Sequence, residues 1–74
     1  MTTSKRNRRA AIRQIDAHFE YQHVEACIKG GGFDVRVYDR RGGEELCFFD
    51  SRSLQGESVV GCFSDGSGEI AIPM

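Results

Sequence analysis

Tryptophan is absent from this 74-residue chain, and proline appears once, at Pro73. No segment before that position loses a backbone N–H to proline, so helix and strand are both open to the body of the chain. Cysteine is sparse and odd in number: Cys27, Cys47 and Cys62. Three thiols cannot form a fully paired disulfide framework, and they fit a reducing, cytoplasmic setting. Long apolar runs are also missing. No segment approaches the ~20 apolar residues of a membrane span, and the charged N-terminus is not followed by the apolar stretch of a secretory signal. Val, Ile, Leu and Phe supply 17 residues, about 23% of the chain. That lies just above the level of roughly 20% that marks disorder. One small domain over residues 1–74 is therefore expected, burying only around 60% of its unfolded surface. A core this lean gains from a bound partner or a second copy.

Acid is missing from the first fifteen residues. Lys5, Arg6, Arg8, Arg9 and Arg13 give that stretch a charge of +5. Residues 16–74 hold eleven acids against Lys29, Arg36, Arg40, Arg41 and Arg52, a charge of −6. The formal net charge of −1 thus hides a basic end on an acidic body.

Residues 1–4 read as a disordered start, with Ser4 placed to cap a helix. Ile12, Ile15 and Phe19 then repeat at helical spacing, a stripe that Ala26 would extend. Arg8 stands one turn before Ile12. Arginines in a first turn oppose the helix dipole, so they are not there to help the helix form. After Phe19 the phase slips, and Ala17, Tyr21, Val24 and Ile28 make a second stripe opposite the first. Two readings compete for residues 22–28. Either one basic helix runs over 5–28, or it stops near Tyr21 and Val24, Ala26 and Ile28 alternate along a strand. Glu, Gln and Ala favour the long helix, whose second stripe then needs cover from the far end of the sheet, a second copy or a partner.

Beyond Gly30-Gly31-Gly32, Phe33, Val35 and Val37 alternate with Asp34, Arg36 and Tyr38, as in a half-buried strand. Residues 39–43 form a hairpin loop. Residues 44–50 are a second strand, apolar on both faces through Leu46 and Phe48 and through Cys47 and Phe49, which suits a central position. A polar connection over 51–57 leads to a third strand at 58–63, where Gly61 marks a bulge or a close approach. Asp65-Gly66 signals a tight turn before a last strand ending at Pro73. The expected fold is α+β: one N-terminal helix packed on a four-stranded antiparallel β-meander over residues 33–72.

The glycine triplet does not read as a phosphate loop. Dinucleotide and P-loop motifs run strand, glycines, helix, and the P-loop adds a Lys-Ser or Lys-Thr pair. Here the glycines precede a strand and no such pair follows, so they read as a helix cap or a hairpin. His23 and Cys27 fall four apart on the long-helix reading, but no CxxC or HxxxH pair supports a metal site. Cys27 beside His23 lacks a third group to orient a nucleophile. Adjacent Glu44 and Glu45 point to opposite sides of a strand and read as edge charges that discourage aggregation. No enzyme, cofactor or metal is expected.

The basic end is the strongest functional signal, since clustered arginines suit phosphate or acidic protein surfaces. In size, single-domain build and lack of an active site, the chain resembles, by kind only, compact phage- or mobile-element-encoded proteins. Anti-CRISPR proteins are one such group, and many of them occupy a surface of a nucleic-acid-handling complex. The resemblance implies an inhibitor that binds a larger protein or ribonucleoprotein complex; no motif or residue role carries over from it. Lys5, Arg6, Arg8, Arg9 and Arg13, with Tyr21, Val24 and Ile28 as apolar anchors, are the expected partner-binding residues. The alternative is direct DNA or RNA binding through the basic helix, and a homodimer stays open.

Overall fold

The computed structural model describes residues 5–30, 32–50, 54–55 and 57–74, with side chains described for all of these except 5–7 and 55. The expected disordered start and the Ser4 cap lie outside the described residues, as do the side chains of Lys5 and Arg6.

Helix α1 spans Lys5–His18. Its inward stripe is Arg8, Ala11 and Ile15, all buried, with Ile12 and Phe19 half-buried beside them. The basic helix expected over 5–28 ends ten residues early. Phe19 N donates the last helical bond to Ile15 O at 3.0 Å, and Gln22 N turns back to Phe19 O at 2.9 Å. Residues His23–Lys29 form strand β1, paired along all seven residues with β2 (Gly32–Tyr38). The phase slip after Phe19 is therefore a change of secondary structure, not a second helical stripe. Local helix propensity is worth only tenths of a kcal/mol per residue. Pairing Val24, Ala26 and Ile28 against Val37, Val35 and Phe33 satisfies a whole edge of backbone groups on β2.

The remaining strands are β3 (Glu45–Asp50), β4 (Leu54–Gln55), β5 (Ser58–Phe63) and β6 (Glu69–Pro73). All described pairings are antiparallel, in the order β1–β2–β3–β5–β6. Strand β4 pairs the start of β5, while β3 pairs its end, so the two lie in one line along the same side of β5. The sheet is thus five strands wide rather than four, and the stretch expected as a polar connection contains a short strand. The α+β class, with one helix on an antiparallel sheet, holds.

Register aligns the core. Val35 faces Phe49, and Val37 faces Cys47 on the inner side of β3. Val59 and Ile72 pair across β5 and β6. Together with Phe33, Ala11 and Ile15 these residues form the buried cluster under α1. Each such bulky side chain contributes about 1.5–3 kcal/mol by burial. The glycine triplet falls at the β1–β2 hairpin: Gly30, at a φ of 57°, follows β1, and Gly32 opens β2 opposite Lys29, while Gly31 lies outside the described residues.

Candidate functional site

Helix α1 covers only one side of the sheet. The other side carries the alternate residues of each strand, and register places them in rows. One row crosses the sheet from edge to edge: Glu25, Arg36, Phe48, Cys62 and Glu69. Phe48, at its centre, is 37% exposed, a large apolar side chain partly open to solvent. Exposed Cys62 and Ala71 and half-buried Val60 lie around it. Strand β3 is central, so a phenyl ring on each of its faces is what residues 44–50 called for.

Glu45 anchors the polar margin of this face. Arg36 Nη1 donates to Glu45 Oε1 at 2.7 Å, and Ser64 Oγ donates to Glu45 Oε2 at 2.6 Å. The Ser64 hydroxyl first, then Arg36, hold the Glu45 carboxyl below its ordinary proton affinity. The same carboxylate raises the proton affinity of the Arg36 guanidinium. A carboxylate so stabilised is a poor base, and Ser64 spends its proton on it, so the trio braces β2 and β3 against the turn after β5 rather than activating a nucleophile. Glu45 was expected as an edge charge; it sits on a central strand and is bonded on both oxygens.

Beside this trio an open concavity of about 480 Å³ is lined by His23, Glu25, Tyr38, Asp39, Arg40 and Gly43. The His23 and Tyr38 rings stand 6.2 Å apart, and His23 Nε2 lies 3.4 Å from Glu25 Oε1. Its rim is shaped by the β2–β3 loop. Asp39 Oδ1 accepts Arg41 N at 2.9 Å, Gly43 N donates to Asp39 O at 2.8 Å, and Arg40 N donates to Gln22 Oε1 at 3.1 Å, tying the loop to the start of β1. The hollow offers aromatic surface and charges of both signs.

The expected binding residues do not gather in one place. Arg8 is buried at 6% exposure and makes its contacts inside the protein, so it is not part of the outer surface. Arg9 and Arg13 are exposed, one turn apart on the outer side of α1. Tyr21 is 78% exposed in the turn after the helix. Val24 and Ile28 lie on the helix side of β1, half-buried and 42% exposed respectively. The basic helix and the Phe48 face are therefore on opposite sides of the sheet.

The cysteines differ in exposure. Cys47 is buried, while Cys27 and Cys62 are exposed. His23 and Cys27 lie on a strand and not a helix, about 13 Å apart at four residue rises, too far to share an ion. Among the described residues no group of three His, Cys, Asp or Glu is placed to hold a metal, and no helix is long and apolar enough to cross a membrane.

No family profile, curated protein or solved structure matches the chain.

Proposed function

We propose that this protein is a non-enzymatic protein-binding module whose docking surface is the helix-free face of its sheet. The observation that carries this reading is Phe48, exposed at the centre of a five-residue row with Glu25 and Glu69 at its ends. An apolar centre within a charged rim is the anatomy of a protein interface. The acids Glu25, Asp34, Asp50 and Glu69 on the same face outnumber Lys29 and Arg36 there, a balance that favours a protein partner over a phosphate backbone. The first target class to try follows from the chain's size and charge: a nucleic-acid-handling complex, blocked as by a phage- or mobile-element-encoded inhibitor of the anti-CRISPR kind.

A photo-crosslinking residue at position 48 tests this. The expected result is one labelled partner, whose binding is reproduced with purified components and lost on Phe48→Asp. Binding that survives Phe48→Asp at full strength overturns the reading.

A second reading rests on Arg9 and Arg13, exposed together on an acid-free stretch. It assigns α1 to DNA or RNA phosphates. A gel shift that weakens steeply with salt and vanishes on Arg9→Ala with Arg13→Ala supports it, and no shift at low salt removes it.

A further inference from the structure

Strand β1 is an edge. Its seven residues pair β2 on one side, and among the described residues nothing pairs the other side. The opposite edge is blunted, because β6 ends in Pro73, which has no N–H to donate. The β1 edge carries no proline, and its helix-side residues Ala26 and Ile28 are left exposed by α1. Such an edge is a template for another strand.

The sequence His23-Val24-Glu25-Ala26-Cys27-Ile28-Lys29 restricts which strand fits. Two antiparallel copies joined about an axis perpendicular to the sheet keep inner residues inner and outer residues outer. An axis through position 25 sets Glu25 against Glu25 of the second copy. An axis through 26 sets Glu25 against Cys27 and leaves Lys29 facing His23. An axis through 27 sets Glu25 against Lys29 twice, Ala26 against Ile28 twice, and Cys27 against Cys27. Only the last joins opposite charges and covers the exposed Ile28 in the same register. Edge charges of one sign would repel a copy; here the signs are self-complementary.

We propose that β1 pairs with β1 of a second copy of this chain, antiparallel and centred on Cys27, to give a continuous sheet with both helices on one side. The dimer is non-covalent, held by main-chain hydrogen bonds, the Ala26–Ile28 contacts and the two Glu25–Lys29 pairs. It uses the edge of the sheet and does not depend on the docking role of the Phe48 face.

Solution mass by light scattering, under reducing conditions and over a concentration series, should rise from 8.3 kDa to twice that value. Lys29→Glu and Glu25→Lys each create two like-charge pairs in the homodimer, and each should weaken it about tenfold or more. Mixing the two variants restores both ion pairs, so the mixture should dimerise within about threefold of the parent protein. In a Cys62→Ser background, added oxidised glutathione should link the copies through Cys27, two thiols forming one disulfide while one oxidised glutathione becomes two glutathione thiols. A protein that stays at chain mass up to about 1 mM, whether its edge is vacant or taken by a foreign strand, overturns the proposal. So does a dimer that the mixed variants fail to restore, or one that does not link through Cys27.

Discussion

The Phe49 ring lies directly over the backbone of Gly61. A Cβ at position 61 would stand 2.5 Å from both Cδ2 and Cε2 of Phe49 and 2.6 Å from the Phe48 carbonyl oxygen. The ring is 1% exposed and the carbonyl belongs to a paired central strand, so neither has room to yield. Gly61→Ala should therefore destabilise the fold by about 1–3 kcal/mol, the usual range for overpacking. In a chain of this size that lowers Tm by at least ~4 °C, read by circular dichroism. An unchanged Tm would mean that Phe49 and β5 separate easily.

Two neighbouring glycines make a controlled comparison. Gly43 has a φ of 75° with open space around it, and Gly42 would place a Cβ 3.9 Å from Asp39 Oδ2, an ordinary contact. Gly43→Ala should cost about 1–2 kcal/mol because of its left-handed backbone. Gly42→Ala should change stability by less than about 0.5 kcal/mol. Chemical denaturation of the two variants side by side checks the contrast.

Acid should weaken the fold through Glu45. Its carboxyl titrates below the ordinary 4.5 when folded, so its stabilising contribution is present above that value and is lost as pH falls through the lower folded value. Glu45→Gln should be less stable than the parent at pH 7, and the gap should close as pH falls through the lowered folded value. Denaturation midpoints over a pH series give the two curves. Parallel curves would remove Glu45 as the cause.

The thiols should separate by reactivity. Burial first, then the Glu45 charge, push the Cys47 thiol from 9.0 up to about 11. On dilute folded protein at pH 8, iodoacetamide should modify Cys27 and Cys62 and spare Cys47 until the protein unfolds, as followed by mass spectrometry. The raised value has a stability consequence too. Stability linked to Cys47 is complete below pH 9 and declines as pH climbs through about 11.

Much of the sheet was legible in the residues. The alternation of Phe33, Val35 and Val37, the two-sided apolarity of residues 46–49, the Asp65-Gly66 turn and the close approach at Gly61 are local signals, each set by a period, a turn type or a missing side chain. The end of α1 was not. Glu20, Gln22, Glu25 and Ala26 prefer helix, and only the full-length pairing with β2 across the glycine hairpin outweighs them. Strand β4, two residues long, is too short to show a period. The candidate site was harder still. Glu45 meets Arg36 and Ser64 at sequence separations of nine and nineteen, and that meeting exists only once strand register is fixed. Phe48 carries a signal in the sequence, the second apolar face of its strand, but periodicity alone does not say which face the helix covers. Arg8 shows the limit of charge counting, since the arginine nearest the apolar stripe turned inward.

The sheet lies between α1 and the Phe48 face, and it keeps the exposed cations of the helix and that face out of each other's reach. A body seated on Phe48 leaves Arg9 and Arg13 free, and a polyanion lying along α1 leaves Phe48 uncovered. The two surfaces are thus sterically independent, one on each side of the sheet, and covering either would leave the other open.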